Sequence, residues 1–329
     1  MNIIKLGMLL LFPFLSHVAS AQKAKIDFLP DQPYDKYELV AASKDTITFY
    51  LSVSSLKENL PLVVYVQGSG MNSLFEKRNG RIVAAYGHMS WFDAGQEKYR
   101  VLIVEKPGVR YLQTGESPEF DKKFSLDSWS HTIQTVINYV LSHEKIDQSR
   151  VLLAGHSEGG VVAARVARLM KNKISHVAVM AGEGPSQLYS LYRFAEDGTF
   201  FNTKEHNMPT PEARINYVTE KWKDILADPS STEKKFWGFT YLRWSGLLQT
   251  SVMDELASYE GKILLLQGTA DKAVYPESAV VAYTALLSKG KQVKLEQVEG
   301  ADHSFNIADQ PKLDGWKMVI EKVMHWFTP

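Results

Sequence analysis

Apolar residues fall into two rhythms along this chain. The first is a short run of branched or apolar residues: the strand Leu62–Gln67, "RVLIVEKPGV" at 100–109, "RVLLAG" at 150–155, "ISHVAVMAG" at 174–182 and "KILLLQG" at 262–268, with "QVKLEQVEG" at 292–300 as a further strand. Runs of this kind are strands covered on both faces, as in a parallel sheet. The second rhythm has apolar positions three and four apart. "SLDSWSHTIQTVINYVLSH" carries them at 126, 129, 133, 136, 137, 140 and 141, behind Ser125 as N-cap. The same spacing predicts helices over "EGGVVAARVARLMK", "ESAVVAYTALLSKG" and "QPKLDGWKMVIEKVMHWF", the last with a proline at its start. Strands and helices alternate, which predicts βαβ units and a mainly parallel sheet. "KYELVAAS" and "TITFYLSVS", joined by "KD", read as a hairpin that adds an antiparallel edge. Residues 74–98 mix apolar and charged positions at helical spacing.

One region breaks the alternation. Between about 186 and 256 no strand pattern is evident. "TPEARINYVTEKWKDILADPS" reads as a helix from near Pro211, and "STEKKFWGFTYLRWSGLLQTSVMDEL" as one or two more. The division expected is residues 22–185 and 257–329 as one α/β core, with 186–256 as a helical lid inserted in it.

Composition narrows the class. Of 329 residues 45% are hydrophobic and 22% charged, an ordinary globular balance. Lys plus Arg and Asp plus Glu are both 37, so no strong net field favours nucleic acid or an anionic membrane. The first residues stand apart. Lys5 supplies a positive start, "LGMLLLFPFL" is an apolar stretch too short to span a bilayer, and Ala19-Ser20-Ala21 fits a small-x-small cleavage site. Residues 1–21 are therefore expected to be a signal peptide cut after Ala21, leaving an exported protein, periplasmic or secreted, with no membrane segment. The absence of cysteine removes disulfides, a thiol nucleophile, cysteine-based metal sites and a lipid-anchoring cysteine. The histidines show no His-Glu-x-x-His or similar spacing, so no metal and no cofactor are predicted.

Candidate chemistry begins at "LVVYVQGSGMNS", residues 62–73, where a strand runs into Gly-Ser-Gly. Such loops let backbone N–H groups approach a negative charge. Gly68-x-Gly70-x-x-Ser73 nearly fits a dinucleotide fingerprint, and an oxyanion formed during a reaction fits equally well. A dinucleotide site needs an acid about 20 residues further on. The next strand ends at Glu105, 35 residues past Gly70.

The most specific motif is Gly155-His156-Ser157-Glu158-Gly159, between a buried strand and a helix. Its glycines permit the sharp turn that exposes a serine hydroxyl, and that hydroxyl needs a base and an orienting acid. Both follow in the order Ser, acid, His. Asp271 stands after "KILLLQG" and His303 after "QVKLEQVEG", each beyond the carboxyl end of a strand. Glu183, after "HVAVMAG", is the alternative acid. Asp302 is read as structural.

On "GHSEGG", "QGTADKAV", "GADHSF" and the loop "QGSG", the chain resembles the α/β-hydrolase family from about Tyr37 to its C-terminus, apart from the lid. The resemblance implies an eight-stranded, mostly parallel sheet flanked by helices, with a lid after strand six. It also implies an oxyanion hole made by the N–H of Glu158 and one N–H from the loop, Ser69 first and Gly70 second. Two departures stand out. Gln67-Gly68 replaces the usual His-Gly, and "EKPGV" replaces Asp-x-x-Gly, where Glu105 is read as structural and Lys106 accompanies it.

The expected function is therefore an exported serine hydrolase that cleaves a small-molecule carboxylic ester through Ser157, His303 and Asp271 and an acyl-enzyme. Amide and thioester hydrolysis share this apparatus, which leaves peptidase, amidase and thioesterase as alternatives. A non-catalytic binding protein on the same fold is the alternative of another class. Tyr189, Tyr192, Phe194, Phe200, Phe201, Trp222, Phe236, Trp237, Tyr241 and Trp244 either line an acyl or aryl pocket or pack the lid onto the sheet, and packing is expected for most of them. The sequence is silent on oligomeric state.

Overall fold

The apolar stretches 62–66, 101–104, 151–155, 177–180 and 263–268 become the centre of one sheet, where each of their residues is buried. In a computed structural model, which describes residues 25–29, 32–41, 44–95, 98–201 and 207–328, the sheet strands are β1 Lys25–Phe28, β2 Tyr34–Val40, β3 Thr46–Ser52, β4 Leu60–Val66, β5 Arg100–Val104, β6 Ile146–His156, β7 His176–Met180, β8 Lys262–Gly268 and β9 Val293–Val298. The leader assigned to residues 1–21, with its cleavage point, lies outside the described residues.

Strand order is β1-β2-β3-β5-β4-β6-β7-β8-β9. Pairs from β5 to β9 are parallel, and β1, β2 and β3 form the antiparallel edge, β3 pairing antiparallel with β5. The mostly parallel sheet expected from the sequence is present. It has nine strands among the described residues rather than eight, because Lys25–Phe28 adds to the free edge of β2.

All seven residues of β4 and all five of β5 are buried. Their alternation divides the core. Leu62, Val64 and Val66 face the helices α3 (Leu126–His143) and α4 (Glu158–Leu169), while Val63 and Tyr65 face α1 (His88–Gly95) and α10 (Gly315–Phe327). Each such side chain contributes about 1.5–3 kcal/mol on burial. Among the described residues no helix is long and apolar enough to cross a membrane.

Three local expectations are corrected. Residues 74–98 are not one helical stretch: Phe75–Arg78 pairs with Arg81–Ala84, and only His88–Gly95 is helical. Asn79 and Gly80 both take positive φ, 49° and 80°, the two-residue turn an Asn-Gly pair favours, so turn chemistry outweighs the apolar spacing. The region 186–256 contains a small ribbon, Lys235–Phe236 with Phe239–Thr240, between helices α6 (Pro211–Ala227) and α7 (Tyr241–Gln249). It too turns through two residues of positive φ, Trp237 and Gly238. The final helix starts at Gly315 rather than at Pro311, because the Asp314 side chain accepts the Lys317 N–H and caps it there.

Between β7 and β8 lie α5 (Gln187–Asp197), α6, the ribbon, α7 and α8 (Val252–Glu255), while α2 (Pro118–Lys123) precedes α3 and α9 (Pro276–Ser288) joins β8 to β9. These elements hold an apolar cluster of their own, with Phe194, Phe201, Val218, Ile225, Phe236, Tyr241 and Trp244 buried in it.

Candidate active site

Strand β6 ends at His156 and α4 begins at Glu158, so a single residue reverses the chain. Ser157 does so at φ 55° and ψ −128°, a strained conformation for a residue with a side chain. The turn is held by the Ser157 N–H, which donates to the Met180 carbonyl at 2.9 Å, and by the Gly160 N–H, which donates to the Ser157 carbonyl at 2.8 Å. The two flanking glycines are required by space. A Cβ on Gly155 would lie 2.1 Å from the Gly159 oxygen, and one on Gly159 would lie 2.2 Å from the Val66 oxygen.

Loops after β8 and β9 bring two more side chains to this point. His303 Nε2 lies 3.0 Å from Ser157 Oγ, and His303 Nδ1 lies 2.9 Å from Asp271 Oδ2. Asp271 is itself fixed. Its Oδ1 accepts the N–H groups of Ala273 and Val274 at 2.8 and 2.9 Å, and its Oδ2 accepts from Gln267 Nε2 at 2.9 Å. With Nδ1–H donating to the carboxylate, Nε2 presents its lone pair to the serine hydroxyl. Burial works against the His303 cation, but the hydrogen bond and charge of Asp271 outweigh it and hold the imidazole above its ordinary value. Burial likewise works against the Asp271 carboxylate. The contact with His303 and the two backbone N–H groups outweigh it, so the carboxyl is held below its usual range.

Glu183 is buried nearby, and its Oε2 has no hydrogen-bond partner. Burial pushes this carboxyl up to about 7. It makes no hydrogen bond to His303; the acid on the imidazole is Asp271. Asp302 turns away and accepts the N–H groups of Ser304 and Asn306 at 2.9 and 2.8 Å, which shapes the loop that carries His303.

The Gly-Ser-Gly loop arrives beside the serine from the end of β4. A Cβ on Gly68 would lie 3.1 Å from Ser157 Cβ, and Gly70 takes φ 115°. Ser69 lines the same cavity as Ser157 and His303, a space of about 400 Å³ walled by the rings of Tyr65, Tyr86, His156 and Trp316. Gly70 is not among its lining residues, and neither is any described residue from 186 to 256. Of that segment's aromatics, Phe194, Phe201, Phe236, Tyr241 and Trp244 are buried in their own cluster.

Glu158, the first residue of α4, is buried. Its buried carboxylate pairs with Arg243 of α7, whose guanidinium lies 3.9 Å from the ring centre of Phe239 and 4.2 Å from that of Trp244. The segment 186–256 is thus tied to the turn that holds Ser157. Glu105, as expected, is structural: it accepts from Tyr50 Oη at 2.8 Å, Ser73 Oγ at 2.5 Å and the Leu74 N–H at 3.1 Å.

Sequence reasoning missed three contributors. His156 does more than form part of the turn: its Nε2 donates to the His303 carbonyl at 2.9 Å. Tyr86 follows the unforeseen hairpin. Trp316 sits at the start of α10, where its place in an amphipathic pattern says nothing of the cavity it borders. Among the described residues no three His, Cys, Asp or Glu side chains come together as metal ligands.

No curated relative matches this sequence at a significant level. Solved structures share its fold. Est1E from Butyrivibrio proteoclasticus superposes with a TM-score of 0.56 at 16% identity, over 90% of this chain and 99% of that one. A hyperthermophilic esterase from Pyrobaculum calidifontis gives 0.56 at 13% identity, over 91% and 86%. An acylaminoacyl peptidase from Pyrococcus horikoshii gives 0.59 at 14% identity, over 90% of this chain and 41% of that longer one. The model of the Alpha/beta hydrolase family matches residues 64–313, and the chain belongs to that family.

Proposed function

We propose that this protein is a serine hydrolase of small carboxylic esters. The observation that supports it most is the hydrogen-bonded line Ser157–His303–Asp271, at 3.0 and 2.9 Å, opening on a 400 Å³ cavity. Ser157 Oγ attacks the ester carbonyl while His303 Nε2 takes its proton. The tetrahedral oxyanion is held by the N–H groups of Glu158 and Ser69, with Gly70 as the second choice for the loop donor. His303 then protonates the departing alcohol, and water repeats the sequence to release the acid. Asp271 keeps the imidazole in the required tautomer and stabilises its cation. The backbone donors lower the barrier by about 3 kcal/mol each.

The rings of Tyr65, Tyr86 and Trp316 favour a flat acyl or aryl group. Est1E, whose fold this chain shares, has been solved with ferulic acid bound. The reading carries no cofactor. It takes residues 186–256 as a cap, on the ground of their separate apolar cluster and the Arg243–Glu158 pair. It takes residues 1–21 as an export leader. A fluorophosphonate probe tests the core of the proposal. It should label the wild-type protein and not Ser157→Ala, and the same substitution should abolish hydrolysis of p-nitrophenyl butyrate. Full activity in Ser157→Ala would refute the reading. A parallel panel of aryl esters, alkyl esters and aminoacyl amides separates esterase from peptidase.

A further inference from the structure

Lys106 has no part in the chemistry above, yet it is fully buried directly behind the Gly-Ser-Gly loop. Its Nζ donates to the carbonyl oxygen of Gly68 at 2.6 Å and to that of Gly70 at 2.8 Å. The ammonium also faces the rings of Trp129 and Phe124, 4.6 and 5.4 Å from their centres. Burying a cation is costly, and here charge-assisted hydrogen bonds and the two ring faces offset it. Burial pulls the amine down to about 8, so it remains mostly protonated at neutral pH. Its neighbour Glu105 holds the other end of the loop through Ser73 and Leu74. Two consecutive residues after β5 therefore grip the segment 68–74 from both ends.

Gripping a carbonyl sets an N–H. In a planar trans peptide the C=O of one residue and the N–H of the next point in opposite directions. Holding the Gly68 oxygen on Lys106 turns the Ser69 N–H away from Lys106, and Ser69 borders the cavity that contains Ser157. Holding the Gly70 oxygen fixes the following peptide in the same way, at a φ that glycine tolerates.

We propose that Lys106 is the positioning residue of the oxyanion loop: its two hydrogen bonds, to the Gly68 and Gly70 carbonyls, aim the Ser69 N–H at the oxygen that gains charge during attack by Ser157. The proposal rests on the serine-hydrolase reading and selects Ser69 over Gly70 as the loop donor. Lys106 touches no substrate atom and acts through the backbone.

Lys106→Met keeps the length of the side chain and its ring contacts but has no donor. We expect kcat on p-nitrophenyl butyrate to fall about 100-fold, the scale of one lost oxyanion donor, with KM changed less than about threefold. Affinity for a phenylboronic acid, which becomes tetrahedral on Ser157, should fall in parallel with kcat. The acid limb of the pH profile should stay in place, because His303 and Asp271 are untouched. A kcat within about threefold of wild type, or a kcat that falls while boronate affinity does not, overturns the proposal if Ser157→Ala is inactive. If Ser157→Ala is active, the parent reading falls and this one with it. Should Lys106→Met fail to fold, a wild-type crystal structure phosphonylated at Ser157 decides. Ser69 N within about 3 Å of the phosphoryl oxygen, with Lys106 on both carbonyls, supports the proposal. A phosphoryl oxygen out of reach of Ser69 overturns it.

Discussion

His156 donates from Nε2 to the carbonyl oxygen of His303 at 2.9 Å, and the two rings lie 4.9 Å apart. The residue before the serine thus supports the backbone of the proposed base. Burial, followed by the neighbouring His303, pulls the His156 imidazole down to about 4, so it stays neutral at working pH and its donor role does not switch. We expect His156→Ala to loosen the loop after β9 and lower kcat/KM roughly tenfold, mostly in kcat, in line with the rate cost of a misplaced catalytic group. Steady-state kinetics at fixed pH checks this, and an unchanged kcat would remove the support role.

The pH profile follows from His303. The proposed base works only when neutral, and the contact with Asp271 holds its value above 6.5 despite burial. Activity should therefore rise with pH through a midpoint above 6.5 and fall on the acid side. Asp271→Asn removes the charge that favours the cation, so the midpoint should move to lower pH while the plateau kcat drops by about 10⁴. Glu183→Gln should move the midpoint down slightly, because its charge also favours the His303 cation, and leave most of the plateau. A larger plateau loss in Glu183→Gln than in Asp271→Asn would reverse the acid assignment.

Gly159 sits where the start of α4 meets the end of β4. Any Cβ there meets the Val66 backbone, which cannot swing aside as a side chain can. Gly159→Ala should lower stability by about 3 kcal/mol, the upper end for overpacking, seen as a shift of the urea midpoint. A wild-type midpoint would mean that the elbow yields more readily than its geometry implies.

Arg243 and Glu158 form a buried pair, and both still carry unpartnered polar atoms. Breaking such a pair from one side leaves an uncompensated charge. Arg243→Met alone should cost about 3–5 kcal/mol, and Arg243→Met with Glu158→Leu should recover most of that loss. A double-mutant cycle on thermal or urea unfolding measures the coupling, and additive losses would argue against it.

Export is tested by mass. Expression of the full chain in a secreting bacterial host should yield a protein whose N-terminus is Gln22. Recovery of the intact 329-residue chain from the exported fraction would count against cleavage at Ala21.

Much of the fold was legible because its signals are local. Continuous apolar runs identified β4 to β8, and the capped period of 125–143 identified α3, since each pattern reports on neighbours a few residues apart. The elbow was legible for the same reason: Gly-x-Ser-x-Gly is a backbone requirement written in five consecutive residues. Apolar spacing over 74–98 suggests a helix, but Asn79-Gly80, a turn signal that is also local, sets a hairpin there. The small ribbon around Trp237-Gly238 was harder, because two-residue strands leave no periodic trace.

Local pattern and order along the chain thus suffice for β2 to β9, the elbow, and the candidate order Ser157, Asp271, His303. Only the folded chain decides which buried groups meet. Glu183 and Asp271 both follow strands of the same sheet, and it is the loop beyond β8 that puts Asp271 within 2.9 Å of His303. Lys106 reaches carbonyls 36 and 38 residues away, and His156 reaches one 147 residues away, through strand neighbours set by the order β5-β4-β6 and by the return of β8 and β9 to the same end of the sheet. Apolar periodicity states which side of an element is covered. The partner of a buried donor is fixed by packing between distant segments, where an unmade hydrogen bond costs about 1–3 kcal/mol and only a few arrangements satisfy every group at once.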